Sequence, residues 1–198
     1  MKNILIFLMI NSYFLSLAQK NKFATMEPIL TDGYYVNLKG DTMRGKVQVN
    51  PPFEEDFYKQ FYFKDSRAKK PKLFTAQRVL AYGFDGKNFI MINLDQKKIF
   101  AERLVTGRLR FYELKYAEKA NVSNSLHSAY YIKDTQAEDA ELRKLKKLNT
   151  KYYKKKLKPF MKDQPEIWAD LDKFNFNEQI IISAVIKFNA FYKTGNSN

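Results

Sequence analysis

The sequence contains no cysteine, a single histidine and a single tryptophan among 198 residues. Without cysteine there is no disulfide, no thiolate metal centre and no thioether-linked lipid at a processed N-terminus. The one histidine, His127, has no second imidazole to share a metal with. At the start of a predicted strand, without a marked acid or nucleophile partner, it reads as a surface or edge residue. No Gly-rich phosphate loop and no Gly-x-Ser-x-Gly elbow occurs. Apart from the first residues, no apolar run approaches the roughly 20 residues that a membrane span needs.

What is abundant is positive charge and aromatic surface. Lys and Arg number 35 against 21 Asp and Glu, a net charge of +14, and aromatics make up 16% of the chain. With 45% hydrophobic residues, a packed core is expected in spite of the charge.

Residues 1–18 have the pattern of a signal peptide: Lys2, then apolar Ile4–Ile10 and Tyr13–Leu17, then Ser16-Leu17-Ala18 as a small-x-small cleavage site. Asn11-Ser12 interrupts the run, which disfavours the alternative of an uncleaved anchor. An exported protein, periplasmic or at the cell surface, is therefore expected.

Residues 19–135 read as an antiparallel β region. Gly33–Asn50 alternates with period two on either side of Lys39-Gly40-Asp41-Thr42, a hairpin turn. Gly45 predicts a bulge or a close backbone approach. Phe57–Phe63 predicts a third strand, Leu73–Ala76 an extended segment, and Val79–Phe84 and Asn88–Leu94 a hairpin around Asp85-Gly86. Lys97–Thr106 is ambiguous between strand and helical turn. Arg108–Tyr116 and Ser128–Lys133 predict strands joined by a polar loop, Ala117–Ser125.

From residue 136 the period changes. Leu142, Leu145 and Leu148 predict a helix; Lys151–Met161 predicts a second, with Tyr153, Leu157 and Phe160 inward. Pro165 fits a first helical turn, and Asn175 or Asn177 an N-cap. A last helix would bury Ile180, Ile181, Ala184, Val185, Phe188 and Phe191. The expected class is α+β. An antiparallel sheet of about seven strands, a meander or partly closed, is followed by three to four C-terminal helices packed on it. The basic helical region 136–198 would form one compact domain with the sheet.

The phrase GYYVNLKGDTMRGKV, with Gly33, Tyr34, Gly40, Asp41, Thr42 and Gly45, resembles the opening of a family of uncharacterised, exported bacterial envelope proteins. Similar later phrases are Ala81-Tyr82-Gly83-Phe84, Phe100 through Gly107 to Tyr112, Lys155-Lys156-Leu157 with Asp163, and Phe188-Asn189. Gln164 stands where relatives often carry cysteine. In many relatives this module precedes an outer-membrane β-barrel. The resemblance implies an envelope location and supplies no catalytic residue and no cofactor.

Charge concentrates in Glu141–Lys162, where ten Lys and Arg stand against Glu141 alone. Arg143, Lys144, Lys147, Lys151, Lys154, Lys155 and Lys158 are the candidate anion-binding residues. Partners in an envelope would be anionic lipid, acidic glycan or an acidic protein, with peripheral membrane contact. Tyr152 and Tyr153 could stack on bases, but export argues against nucleic acid. A solvated helix face with lysine stems over the core edge accounts for the same residues. Asp32, Asp41 and Asp85 each sit beside a glycine at a predicted turn, so turn chemistry explains them better than a carboxylate pair. Asp41-Thr42-Met43 also matches a short envelope O-glycosylation acceptor, with Thr42 exposed at the turn. The pattern favours a non-catalytic binding or assembly module; the alternative is a hydrolase of envelope material, which would need an acid–base pair in a cleft.

Overall fold

The computed structural model describes residues 27–119 and 124–194. The expected signal peptide, residues 1–18, lies outside the described residues. The chain forms β1 (Leu30–Asn37), β2 (Thr42–Gln48), a 3-10 turn (Glu54–Tyr58), β3 (Gln60–Lys64), β4 (Lys72–Thr75), β5 (Val79–Phe84), β6 (Lys87–Leu94), β7 (Lys97–Val105), β8 (Leu109–Lys119) and β9 (Asn124–Asp134). Then follow α1 (Ala140–Arg143), β10 (Lys146–Leu148), α2 (Tyr153–Leu157), a 3-10 turn (Lys158–Phe160), α3 (Pro165–Asp172) and α4 (Glu178–Thr194).

The mixed α+β architecture is the expected one, but the sheet has ten strands, not about seven. Their order is β10-β9-β8-β7-β6-β5-β1-β2-β3-β4, antiparallel throughout. The ambiguous Lys97–Thr106 is strand β7, and the extended Leu73–Ala76 is edge strand β4. The predicted polar loop is largely ladder: Ala117 pairs Leu126 and Glu118 pairs Ser125 in unbroken register with Leu109 and Asp134. Backbone hydrogen bonds carry a hairpin outward without apolar side chains to advertise it. Gly45 makes a close approach and no bulge. A Cβ there would sit 2.5 Å from the Phe63 ring and 2.6 Å from the Lys64 carbonyl, while Gly33 and Gly45 pair in regular register.

The sheet is strongly curled. Four Cα steps join Thr75 of β4 to Val79 of β5, a reach of at most about 14 Å. Along the sheet, the four strand spacings from β4 to β5 span about 19 Å. The first strands therefore roll back over β5–β7. The rings prove it: Phe61 of β3 stacks on Tyr82 of β5 at 4.0 Å between centroids and meets Phe100 of β7 at 5.9 Å. Tyr82 is sandwiched between Phe61 and Phe89, the latter at 4.7 Å. Its hydroxyl donates to the Phe57 carbonyl. The 3-10 turn lays Phe57 and Tyr58 against Phe89 at 5.8 and 5.5 Å.

Strand alternation and register put Tyr82, Phe89, Phe100, Phe111, Tyr130 and Ile132 on one face. The rolled strands and 3-10 turn cover its β5–β7 part; the helices cover its β8–β9 part. There Val105, Leu109, Phe111, Tyr130 and Ile132 pack with Leu157, Met161, Leu171, Ile181, Val185 and Phe188. Ile181, Ala184, Val185 and Phe188 fall at i, i+3, i+4 and i+7 of α4 and are all buried. Each large member contributes about 1.5–3 kcal/mol.

Tyr153, Leu157 and Phe160 are buried as the spacing requires, and Pro165 opens α3. Asn177, not Asn175, caps α4: its Oδ1 accepts the Gln179 and Ile180 amides at 2.9 and 3.2 Å. Two expectations for the C-terminal helices fail. Phe191 is 54% exposed, because it lies one residue short of the i+11 position in the stripe, where Tyr192 packs against Phe188 at 4.8 Å instead. The Leu142–Leu148 helix is only the single turn α1; the chain then straightens so that Lys146–Leu148 pairs Tyr130–Ile132 as β10. The open ladder edge of β9 outbids a weak three-residue period.

Candidate functional site

The lysine-rich segment wraps the helical end of the molecule in three pieces. Arg143 and Lys144 end and follow α1, Lys147 lies on β10, and Lys151, Lys154, Lys155 and Lys158 lie on and around α2. The register of β10 explains the exposure of Lys147, since its neighbour Leu148 points into the core. On α2 the inward pair Tyr153 and Leu157, four apart, leaves Lys154, Lys155 and Lys156 to the outer arc.

The structure sorts these cations into engaged and free. Lys144 and Lys146 both reach Glu141, the latter at 2.8 Å, and their hydrogen bonds hold its carboxyl down at about 2. Lys154 donates to the Asp172 backbone carbonyl at 2.5 Å, with the Asp172 carboxylate at 3.6 Å. That clamps α2 to the C-terminus of α3, where the helix dipole favours a cation. Lys158 lies over the Trp168 ring at 5.7 Å and Lys151 near Tyr152 at 5.3 Å. Among the described residues, Lys151, Lys155, Arg143 and Lys147 stand in no ion pair.

Lys151, Lys154 and Lys155 converge with Tyr152 and Asn175 on an open groove of about 680 Å³. Tyr152 is 55% exposed. Tyr153 beneath it is buried, its hydroxyl donating to the Phe174 carbonyl at 2.6 Å. The site is thus a cationic rim around one exposed aromatic ring, seated on a fixed floor. Arg143, Lys144 and Lys147 do not line this groove.

A second cluster escaped the sequence reading. Glu102 of β7 and Glu113 of β8 are direct cross-strand partners, on the covered face between the aromatic and helical cores. Ser128 donates to Glu113 at 2.6 Å and Tyr58 to Glu102 at 3.4 Å. Lys115 binds Glu54 at 2.6 Å beside them. Burial raises the Glu102 carboxyl above its usual range; Lys87 and Lys115 oppose this and Glu113 adds to it. Neither carboxylate lines the open groove. The cluster can close a buried polar seam and tie the 3-10 turn to the sheet. The only signal in the sequence is an acid set among the alternating apolar residues of β7 and of the first half of β8.

The remaining candidates are dispersed. Thr42 is exposed at the start of β2. The preceding turn is held by a residue not foreseen: Asn37 Oδ1 accepts the Lys39 and Asp41 amides at 2.8 and 2.9 Å. Asp32 sits within β1, not in a turn, paired to Lys46 at 3.0 Å. Asp85 occupies the β5–β6 turn at φ 47°. His127 lies within β9, 3.5 Å from Glu118. Among the described residues no group of three or more His, Asp or Glu could hold a metal ion, and no helix is long and apolar enough to cross a membrane. Compared with family models, curated proteins and solved structures, the chain matches none.

Proposed function

We propose that this protein is a non-catalytic module of the bacterial cell envelope that docks on anionic phospholipid headgroups through its lysine-rich end. The observation that carries this reading is the groove rimmed by Lys151 and Lys155. Among the described residues neither cation is in an ion pair, and the exposed Tyr152 between them can lie at a headgroup boundary. The leader pattern of residues 1–18 and the resemblance to exported envelope proteins support the location. Acidic glycan or an acidic protein are the competing partners for the same rim.

The alternative, a hydrolase of envelope material, would call on Glu102 and Glu113. Their oxygens accept from Tyr58 and Ser128; Glu113 is buried and Glu102 is half-buried beside the 3-10 turn, and neither lines the lysine-rich groove, which disfavours this reading.

Co-sedimentation with phosphatidylglycerol vesicles, against phosphatidylcholine vesicles, tests the proposal. Binding to the anionic vesicles that falls with salt and drops at least about tenfold in Lys151→Glu/Lys155→Glu supports it. Binding indifferent to salt or to that double reversal overturns it. Fractionation of the native host tests the location: recovery in the cytosol would refute the envelope assignment.

A further inference from the structure

The uncovered face of β1, β2, β3 and β5 carries a second groove, far in character from the lysine-rich end. Register arranges its side chains in rows across the strands. Arg44 pairs Tyr34, Tyr34 pairs Gly83, and Gly83 pairs Asn88. Two residues along, Lys64 pairs Lys46 and Lys46 pairs Asp32. Two further along, Leu73 pairs Tyr62, and Gln48 pairs Leu30. Alternation puts all of these on the face opposite the aromatic core.

A trough of about 700 Å³ lies over the first two rows, walled by Asp65-Ser66 on one side and Asp85-Gly86 on the other. Its volume falls in the range of ligand sites. A shallower hollow of about 470 Å³ continues over the third row, between Tyr62, Lys69 and Lys70, with Lys64 lining both.

Two aromatic rings furnish the floor. A Cβ on Gly83 would meet the Tyr34 ring at 2.7 Å; its absence lets the ring lie against the β5 backbone. The Tyr34 hydroxyl donates to Asn88 Oδ1 at 2.5 Å, and Asn88 Nδ2 donates to the Gly86 carbonyl at 3.1 Å. Ring and amide are therefore both locked. Tyr62 is 40% exposed.

The charges around this floor are positive on balance: Arg44, Lys46, Lys64, Lys69, Lys70 and Lys87 line the trough and its continuation against Asp32, Asp65 and Asp85. Asp85 accepts from the Thr31 hydroxyl at 3.0 Å, and Asp65 from the Arg67 amide at 2.8 Å. Asp32 holds Lys46. Among the described residues Arg44, Lys64, Lys69 and Lys70 are in no ion pair, and each lines the trough or its continuation.

We infer that this trough binds an acidic oligosaccharide, with sugar rings laid on Tyr34 and Tyr62 and their carboxylates on Arg44 and Lys64. The weakly polar C–H face of a pyranose suits a fixed aromatic ring, and unpaired cations supply the complementary charge. Tyr34 and Tyr62 stand four residues and two strands apart, a diagonal of about 17 Å, which calls for a chain of sugars. The trough and its continuation share no lining residue with the lysine-rich groove, so this site is separate from the lipid-docking face.

Titration calorimetry of the full chain with oligogalacturonate, with maltohexaose as the neutral control and oligothymidylate as an anionic aromatic control, decides the matter. The expected result is salt-sensitive binding to oligogalacturonate and none to maltohexaose. Arg44→Glu and Tyr62→Ala, both at exposed positions, each weaken it about tenfold. Tyr34→Phe, which keeps the ring, retains most of the affinity. Lys151→Glu/Lys155→Glu leaves it unchanged, which separates this site from the lysine-rich end. Absence of binding, equal binding of maltohexaose, equally tight oligothymidylate, or indifference to both Arg44→Glu and Tyr62→Ala in variants with unchanged melting overturns the inference.

Discussion

The Asn189 carboxamide of α4 pairs with both backbone groups of Leu109 in β8. The Leu109 amide donates to Asn189 Oδ1 at 2.8 Å, and Asn189 Nδ2 donates to the Leu109 carbonyl at 2.8 Å. Nδ2 also reaches the Thr106 carbonyl at 3.2 Å. One side chain thus stands in for a strand partner at the start of β8 and fixes the helix to the sheet. Gly107, at φ 141°, makes room: a Cβ there would lie 2.5 Å from the carboxamide. Asn189→Leu removes the bonds and leaves the Leu109 groups unpaired, so a loss of about 2–3 kcal/mol in urea unfolding is expected. Gly107→Ala should be at least as harmful, and only partly relieved with Asn189→Ala, because that substitution removes the carboxamide the new methyl would strike but leaves an alanine in a positive-φ conformation that L residues rarely adopt.

Glu102 sets a pH dependence. Its folded-state pKa lies above the usual 4.5, chiefly through burial, and Lys87, Glu113, Lys115 and Tyr58 also act on it. The folded chain then holds a proton that the unfolded chain releases. Its favourable contribution is complete below pH 4.5 and is lost as pH rises through the folded value. Glu102→Gln carries no such titration. Urea unfolding at stepped pH should show a flatter profile for the variant over that window, and a relative gain in stability at neutral pH. An unchanged profile would show that Glu102 ionises in the folded state as it does in water.

Neighbouring lysines on α2 should separate by role. Lys154 is spent on the α3 terminus through Asp172, so Lys154→Ala costs about 0.5–1 kcal/mol of stability. Lys155 is exposed and, among the described residues, forms no ion pair; Lys155→Ala should leave thermal melting unchanged while weakening anionic-vesicle binding. Melting curves and co-sedimentation on the same two proteins check both halves.

Strands whose side chains alternate against a core were legible: Tyr82, Phe84 and Phe89 announce β5 and β6. Strands set by pairing alone were not. Ala117–Lys119 carries no apolar face, and Lys146–Leu148 is a strand only because β9 offers it an edge. Leu142, Leu145 and Leu148 recur at a spacing that suits a helix, yet Leu145 and Leu148 pack with different clusters. For the site, composition located the lysines but could not divide them, since Asp172 reaches Lys154 from eighteen residues away. Glu102 and Glu113 meet through register, which depends on an irregularity between Arg103 and Val105. The rows of the opposite face depend on pairing in the same way.

Arg108 and Asp134 offer the sharpest test of how the helical layer is fastened. The Arg108 Nε donates to both carboxylate oxygens at 3.1 and 3.0 Å, and the Gln136 amide donates to Oδ1 at 2.8 Å. The Asp134 side chain is only 2% exposed. The guanidinium lies over the Tyr192 ring at 3.9 Å and faces Phe188 at 5.6 Å, so one residue joins β8, the end of β9 and α4. Removing the cation strands a buried carboxylate. Arg108→Ala is therefore expected to cost about 3 kcal/mol or more. Arg108→Met with Asp134→Leu, which removes both charges, should cost less than Arg108→Ala alone, because no ion is left without a partner. Arg108→Lys keeps the charge but loses the planar stack on Tyr192 and should fall between. Urea unfolding of the three variants orders these outcomes; a double substitution as damaging as Arg108→Ala would show that packing around Tyr192, and not the buried charge, holds the helix.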